Sequence, residues 1–225
     1  MKKSVWFLSM LCALGSLSAE EKVKESSLQE KSSAYTAKDY ASLLGMKGFG
    51  DELLKMHFQL YQGYVKNTNL LLDTLKTLDP STYAFTALKR RLGWEMDGMR
   101  LHELYFDNLG GKTPIDAKSA LYKKLEADFG SFDAWKKDFV ATGLTRGIGW
   151  VVLYKDPQSG RLINMWINEH DVGHLAGGAP LLVMDVFEHA YITQYGLAKQ
   201  QYIDAFFQNI RWEEASARFK EKKER

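Results

Sequence analysis

Residues 180–191 read PLLVMDVFEHAY and contain two different patterns. The apolar run up to Asp185 is typical of a buried strand, and the stretch that follows, 187–196, favours a helix. Asp185 and His189 therefore lie four residues apart at a strand-to-helix junction, where a carboxylate and an imidazole can point to the same side. Such a pair can contribute to a metal site if further ligands come from elsewhere in the chain.

The chain before this junction predicts two long helices. Apolar residues recur at three- and four-residue steps from Asp51 until Asp79-Pro80, which ends the first helix. Ser81 or Thr82 can cap a second helix that runs to Asn108 before two glycines. Because the link is short, we expect an antiparallel α-hairpin.

After Pro114 the pattern changes to shorter helices and strands. Two helices are predicted at 116–129 and 131–145, followed by a β-hairpin of GWVVLYKD and RLINMWIN and by the third strand at 180–185. The last helices are predicted at 187–196, 199–209 and 212–220. The fold class is therefore α+β: an N-terminal antiparallel long α-hairpin domain (36–112) and a C-terminal α/β domain (113–225) with a three-stranded antiparallel sheet.

The N-terminus predicts an export signal. Two lysines are followed by an apolar stretch of about 14 residues and then small residues up to Ala19, which is the pattern of a cleaved leader. We predict a signal peptide at 1–19, a flexible polar linker at 20–35, and a periplasmic or extracellular protein. The alternative is an uncleaved N-terminal anchor.

Composition excludes several function classes. The 225 residues are 45% hydrophobic and 26% charged, too apolar for a disordered chain and too charged for a polytopic membrane protein. Loss of the leader leaves 28 basic and 28 acidic residues, so neither nucleic-acid binding nor stable membrane insertion is expected. The single cysteine, Cys12, excludes an internal disulfide and a Cys-rich metal site. Metal chemistry therefore depends on the five histidines.

Two histidines lie within the long helices, where antiparallel packing can bring His57 and His102 to one level. Together with Asp185 and His189 they would offer three imidazoles and one carboxylate, a set that suits Fe, Mn or Zn. Singly, a buried histidine on an apolar helix face is more often a hydrogen-bonded core residue than a ligand. Spacing alone leaves both interpretations open.

Three segments carry a family resemblance. DVFEHAY at 185–191 with the downstream YIDAFFQN and Trp212-Glu213, GIGW at 147–150, and LHELYFDNL at 101–109 occur in the order of the iron/manganese superoxide dismutases. The resemblance covers residues 36–220. It implies one Fe or Mn ion per subunit, bound by His57, His102, Asp185 and His189 with a fifth position for solvent. It also implies disproportionation of the superoxide anion.

The resemblance assigns further residues around the metal. Tyr64 would stand at the substrate channel, Trp150 would line the metal pocket, and Phe187 takes the place of another tryptophan. Glu188 would reach the metal-bound histidine of a second subunit, which implies a homodimer or homotetramer.

The resemblance assigns roles to two more residues, and each of them also has a simpler interpretation. His170 would hydrogen-bond the metal-bound solvent, and a histidine there resembles iron-type members, so iron is favoured; the alternative is a surface loop histidine. Lys199 matches a basic position at the channel mouth, where it would steer the anionic substrate, or it is a solvated surface lysine. The resemblance gives no role to His174.

The chain also departs from the family pattern. His57 and Tyr64 are seven residues apart rather than the usual eight, which still leaves both on one helix face. The family's gateway histidine is replaced by Leu60 or Tyr61, and its tyrosine partner by Ile192.

Two other functions remain open from the sequence. One is a non-catalytic relative of the fold, although such a protein would be expected to have lost ligands. The other is a zinc hydrolase with a His₃Asp site, in which Glu103 is the candidate general base.

Overall fold

The computed structural model describes residues 34–221, so the predicted signal peptide and nearly all of the predicted linker lie outside the described residues. Within 34–221, no helix has the length and apolarity needed to cross a membrane.

Two long helices form the predicted hairpin. Helix α1 spans Asp51–Thr77 and helix α2 spans Tyr83–Asp107. Of the two predicted caps it is Thr82 that begins α2, because its hydroxyl oxygen accepts the N–H of Phe85 at 3.2 Å. The helices pack along one another and bring the rings of His57 and His102 to a centroid distance of 5.0 Å.

The two shorter helices follow at Ala120–Phe129 (α3) and Phe132–Gly143 (α4). The predicted start of α3 at residue 116 was wrong by four positions. Asp116 instead makes a turn in which its carboxylate accepts the N–H of Lys118 at 2.8 Å. Ser119 then caps the helix by accepting the N–H of Tyr122 at 3.1 Å.

The three strands form one antiparallel sheet, as predicted, and their order in it is β2-β1-β3. Their bounds are Gly149–Lys155 (β1), Leu162–Asn168 (β2) and Ala179–Asp185 (β3). The central strand pairs Trp150 with Ile167 on one side and with Asp185 on the other. This register brings the indole and the carboxylate to neighbouring positions at one end of the sheet.

The predicted helix at 187–196 was wrong as a single element. It is divided into a 3₁₀ turn at Glu188–Ala190 and a short helix α5 at Ile192–Tyr195, because Tyr191 leaves the helical conformation with φ −147°. Asp185 Oδ1 accepts the N–H of Phe187 at 2.8 Å, which turns the chain directly after β3. Helices α6 (Lys199–Gln208) and α7 (Trp212–Lys220) complete the described chain.

The hairpin and the sheet share buried contacts. Asn108, at the end of α2, is fully buried and donates to the carbonyl of Val183 in β3 at 2.7 Å. From Tyr35 onward the described residues form one compact unit. The division into 36–112 and 113–225 stays a prediction.

Candidate metal centre

Four side chains from four separate elements converge at one end of the sheet. They are His57 on α1, His102 on α2, Asp185 at the end of β3 and His189 in the 3₁₀ turn, and their ligand-capable atoms all lie within 4.8 Å of one another. The centre of the group is Asp185 Oδ2, which lies 3.1 Å from His57 Nε2, 3.0 Å from His189 Nε2 and 3.7 Å from His102 Nε2. The sequence-predicted ligand set is therefore brought together in full.

The hydrogen bond of His102 fixes which of its nitrogens faces the cluster. His102 Nδ1 lies 2.6 Å from the carbonyl oxygen of Gly98, and because a carbonyl only accepts, Nδ1 carries the hydrogen. The lone pair of Nε2 is then aimed at the other ligands. This nitrogen is buried and makes no hydrogen bond to any residue of the described part of the chain.

A cation satisfies this arrangement. A buried nitrogen without a partner costs about 1–3 kcal/mol, and three imidazole nitrogens around one carboxylate oxygen are the donor set of a first-row transition metal. The side chains of His57, His102 and Asp185 are almost fully buried, and that of His189 is 27% exposed. The residues present therefore fit a resident metal ion.

Electrostatics favour the protonation states that a metal needs. Burial lowers the pKa of His57, against the opposing effect of the Asp185 carboxylate. Burial and then the neighbouring His57 lower the pKa of His102 well below its usual value. Burial raises the pKa of Asp185, but the charge of His189 and the hydrogen bonds of both neighbouring histidines outweigh it, so that the net shift is downward. The neutral imidazoles of His57 and His102 and the ionised carboxylate of Asp185 are ready to bind a cation.

A second hydrogen-bonded group lies beside the ligands. Trp150 Nε1 donates to His170 Nδ1 at 3.0 Å, which assigns the ring hydrogen of His170 to Nε2. That N–H donates to the hydroxyl oxygen of Tyr64 at 2.7 Å. Burial lowers the pKa of His170 to about 4 and raises that of Tyr64 to about 12, so both groups are uncharged near neutral pH. The surface-loop alternative for His170 is wrong, because the residue is fully buried.

Aromatic rings wall off this end of the sheet. Phe187 stacks on His170 at a centroid distance of 4.6 Å and on His189 at 5.1 Å. The indole of Trp150 meets the ring of His102 edge-on at 4.9 Å. These apolar faces help to bury His102 and to cover part of His189, and a drier surrounding strengthens the electrostatic interactions between the ligands.

Glu188 and Lys199 lie outside the ligand cluster. The side chain of Glu188 is exposed. Lys199 is half-buried: its Nζ donates to the carbonyl of Thr145 at 3.2 Å and lies 5.8 Å from the ring centroids of Trp166 and Tyr191. It is therefore held against the protein rather than freely solvated.

Tyr61, one of the two residues that replace the gateway histidine, makes its contacts inside the protein. It is fully buried, accepts the backbone N–H of Lys38 at 3.0 Å and donates to Glu103 at 3.0 Å. Glu103 also accepts from Arg100 at 2.6 Å. The other residue that could replace the gateway histidine, Leu60, is not buried in the core. Both hydrogen bonds of the Glu103 carboxylate are therefore made to Tyr61 and Arg100.

Sequence reasoning missed two residues on α2 that shape the site. A Cβ on Gly98 would lie 2.7 Å from a ring carbon of Tyr64, so that the missing side chain is what lets Tyr64 stack on His102 at 5.1 Å. Trp94, one turn earlier, meets the ring of His170 edge-on at 4.8 Å. The spacing 94, 98, 102 places these residues on the helix face of the ligand, a signal that the sequence carried.

Replacing Gly98 with alanine tests the close packing of Tyr64. We expect the added methyl group to displace the tyrosine ring, to break its hydrogen bond with His170 and to destabilise the fold by about 1–3 kcal/mol. The control is Gly93→Ala on the same helix, where an added Cβ meets nothing within 4 Å. This control should be unchanged or stabilised by up to about 1 kcal/mol. A crystal structure and thermal unfolding measure both effects; an unmoved Tyr64 in a fully stable Gly98→Ala variant contradicts the packing argument.

Comparisons with known proteins agree with this geometry. The family model for the C-terminal domain of iron/manganese superoxide dismutases matches residues 117–218. A superoxide dismutase [Fe] of Cupriavidus metallidurans is 41% identical over 180 residues, 77% of this chain and 90% of the relative. A superoxide dismutase [Fe] of Aquifex aeolicus is 35% identical over 81% of this chain and 89% of the relative, and superoxide dismutase [Mn] 2 of Haloferax volcanii is 33% identical over 76% and 87%. The chain belongs to the iron/manganese superoxide dismutase family.

Proposed function

We propose that the protein is a superoxide dismutase that converts two superoxide anions and two protons into O₂ and hydrogen peroxide. One Fe or Mn ion would be held by His57, His102, Asp185 and His189, and when bound it supplies the electron acceptor and donor of the two half-reactions. The observation that carries the proposal is the convergence of three histidine Nε2 atoms on Asp185 Oδ2, with one of them buried and unpaired. Membership of the family supports the same conclusion.

A chain of hydrogen bonds beside the ligands can supply a proton to the bound substrate. Trp150 and His170 fix the direction of a hydrogen-bond chain that ends at the Tyr64 oxygen, which accepts from His170. Because that oxygen already accepts this bond, the hydroxyl hydrogen of Tyr64 is free to be donated to a bound anion. Tyr64 is partly exposed and can regain a proton from solvent. His170 lies next to the ligands with its one N–H donated to Tyr64, and through this hydrogen bond it adjusts the potential of the bound metal; we favour iron, as the resemblance at this position implies.

The other functions have less support. A zinc hydrolase needs a carboxylate base beside the metal, and Glu103 is instead bound to Tyr61 and Arg100. A non-catalytic relative has no reason to keep four ligands with their burial and hydrogen bonds.

Replacing His189 with alanine tests the ligand set. We expect the variant to lose its stoichiometric Fe or Mn and its superoxide-dependent activity in a xanthine oxidase/cytochrome c assay, because it removes one of the four ligands. The control, His170→Gln, should keep the metal and change the rate or the metal preference. Stoichiometric metal in the His189→Ala variant would falsify the ligand assignment, and a metal-loaded wild-type protein without activity would refute the enzymatic proposal.

We further propose that Lys199 attracts the anionic substrate. Lys199→Gln should lower kcat/KM at low ionic strength, and the difference should shrink as salt screens the charge over about 10 Å at 0.1 M. The matched control is Lys123→Gln, which removes an exposed charge from α3. Equal salt dependence of the two variants contradicts steering by Lys199.

We also propose that the protein is exported and that residues 1–19 are removed. The basic, apolar and small-residue order of this segment supports the proposal. Expression in a bacterial host followed by fractionation should yield a periplasmic or extracellular protein whose intact mass lacks the leader. A cytoplasmic or membrane-bound protein that retains Met1–Ala19 contradicts export with cleavage.

The proposed assembly is a homodimer. The ligand His189 keeps 27% of its side chain exposed beside the exposed Glu188, so a second subunit can cover it and orient its ring. Sedimentation velocity separates this dimer from the homotetramer and from a monomer, the last of which would contradict the proposal.

A further inference from the structure

His174 is the one histidine that the proposed function leaves without a role, yet it contacts the loop that carries His170. Its Nε2 lies 2.8 Å from the backbone carbonyl oxygen of His170, and its Nδ1 lies 2.8 Å from the hydroxyl of Tyr154 on β1. Asp97 on α2, the neighbour of Gly98, has a carboxylate oxygen 3.7 Å from the same Nε2. The imidazole therefore joins the central strand, the site-facing helix and the loop after β2.

The loop around His170 leaves strand β2 through a tight turn, at whose base Asn168 pairs with Val172 and the N–H of Glu169 donates to the carbonyl of Ile148 at 3.0 Å. Strand β2 ends at Asn168, and Glu169 has a left-handed backbone with φ 53°, which is unfavourable for a residue with a side chain. Gly173 has φ 107°, and a Cβ there would lie 2.7 Å from the carbonyl oxygen of Trp166. This glycine lets the chain turn back so that His174 reaches the carbonyl of His170.

The hydrogen-bond directions at His174 follow from its partners. A carbonyl oxygen only accepts, so Nε2 carries a hydrogen and donates it to His170. Burial raises the pKa of Tyr154 to about 12, so its phenol stays protonated and can donate to Nδ1. The Asp97 carboxylate beside Nε2 favours the hydrogen at that nitrogen. All three contacts hold the ring in one orientation and one tautomer.

We propose that His174 is a positioning residue for His170: by holding the backbone of this loop it keeps the His170 Nε2 at hydrogen-bonding distance from Tyr64 and at its place beside the metal ligands. The His170 carbonyl has no freedom to move without losing the His174 bond, and the 2.7 Å bond to Tyr64 tolerates little displacement. The inference rests on the proposed function, because a redox metal is what His170 would adjust.

Three variants of the full-length metal-loaded protein test the proposal. His174→Phe keeps an aromatic ring of similar size and removes both ring nitrogens. His174→Gln restores a donor that can reach the His170 carbonyl. Val172→Ala, on the same loop with a side chain that is 59% exposed, is the matched control. The measurements are the crystal-structure distance from His170 Nε2 to the Tyr64 oxygen, the midpoint potential of the bound metal, kcat and the melting temperature.

We expect His174→Phe to lengthen the His170–Tyr64 contact beyond hydrogen-bonding distance and to shift the midpoint potential. We also expect kcat to fall by about 10-fold, because replacing a residue that orients the groups around a metal site commonly has an effect of this size. His174→Gln and Val172→Ala should keep the wild-type distance and potential. If His174→Phe does not fold, Tyr154→Phe is used in its place. It removes the hydrogen-bond donor to His174 Nδ1 and should shift the midpoint potential by a smaller amount than the loss of the imidazole.

Two outcomes contradict the inference. A lower melting temperature of His174→Phe, or of Tyr154→Phe, with unchanged distance and potential assigns His174 a purely structural role. A shift that His174→Gln does not reverse shows that the carbonyl bond is not the cause. Failure of the proposed function is seen separately, as a metal-loaded wild-type protein that does not remove superoxide.

Discussion

Asp185 is the residue on which the rest of the structure depends, because each of its side-chain and backbone oxygens has a separate partner. Oδ2 receives the histidines, Oδ1 accepts the N–H of Phe187 and turns the chain, and the backbone carbonyl accepts the hydroxyl of Tyr202 at 2.6 Å. Pairing with Trp150 in β1 fixes the residue along the sheet. A buried negative charge of this kind is stable only when it is surrounded by donors or a cation, so the sheet, the hairpin and the 3₁₀ turn must all meet at this point.

Several features around this carboxylate fit together at the same site. Gly98 is small because Tyr64 packs on its backbone, and its carbonyl also holds the ring of His102 in the tautomer that a metal needs. Phe187 stacks on both His170 and His189 and covers one face of each ring. Helix α2 therefore supplies a ligand, the space for Tyr64 and, through Asp97, a contact to the His170 loop.

Much of this could be predicted from the sequence, and the rest depends on tertiary contacts. The long helices, the strands and the four clustered side chains follow from periodicity, turn residues and family motifs, because these patterns are local and strong. The break at Tyr191 could not be predicted, since 187–196 has a helical pattern and the break accompanies a tertiary contact, the one between His189 and Asp185. Likewise the burial of Tyr61 and the hydrogen-bond direction from Trp150 through His170 depend on partners distant in sequence.

The measurement that tests the central claim most directly is the position of the metal in crystals of the Fe-loaded or Mn-loaded protein, located by anomalous scattering. The account predicts one peak per subunit at about 2 Å from Nε2 of His57, His102 and His189 and from Asp185 Oδ2, the usual length of a bond between a first-row metal and nitrogen or oxygen. A peak elsewhere, or none at these four residues in protein that carries stoichiometric metal, would contradict it.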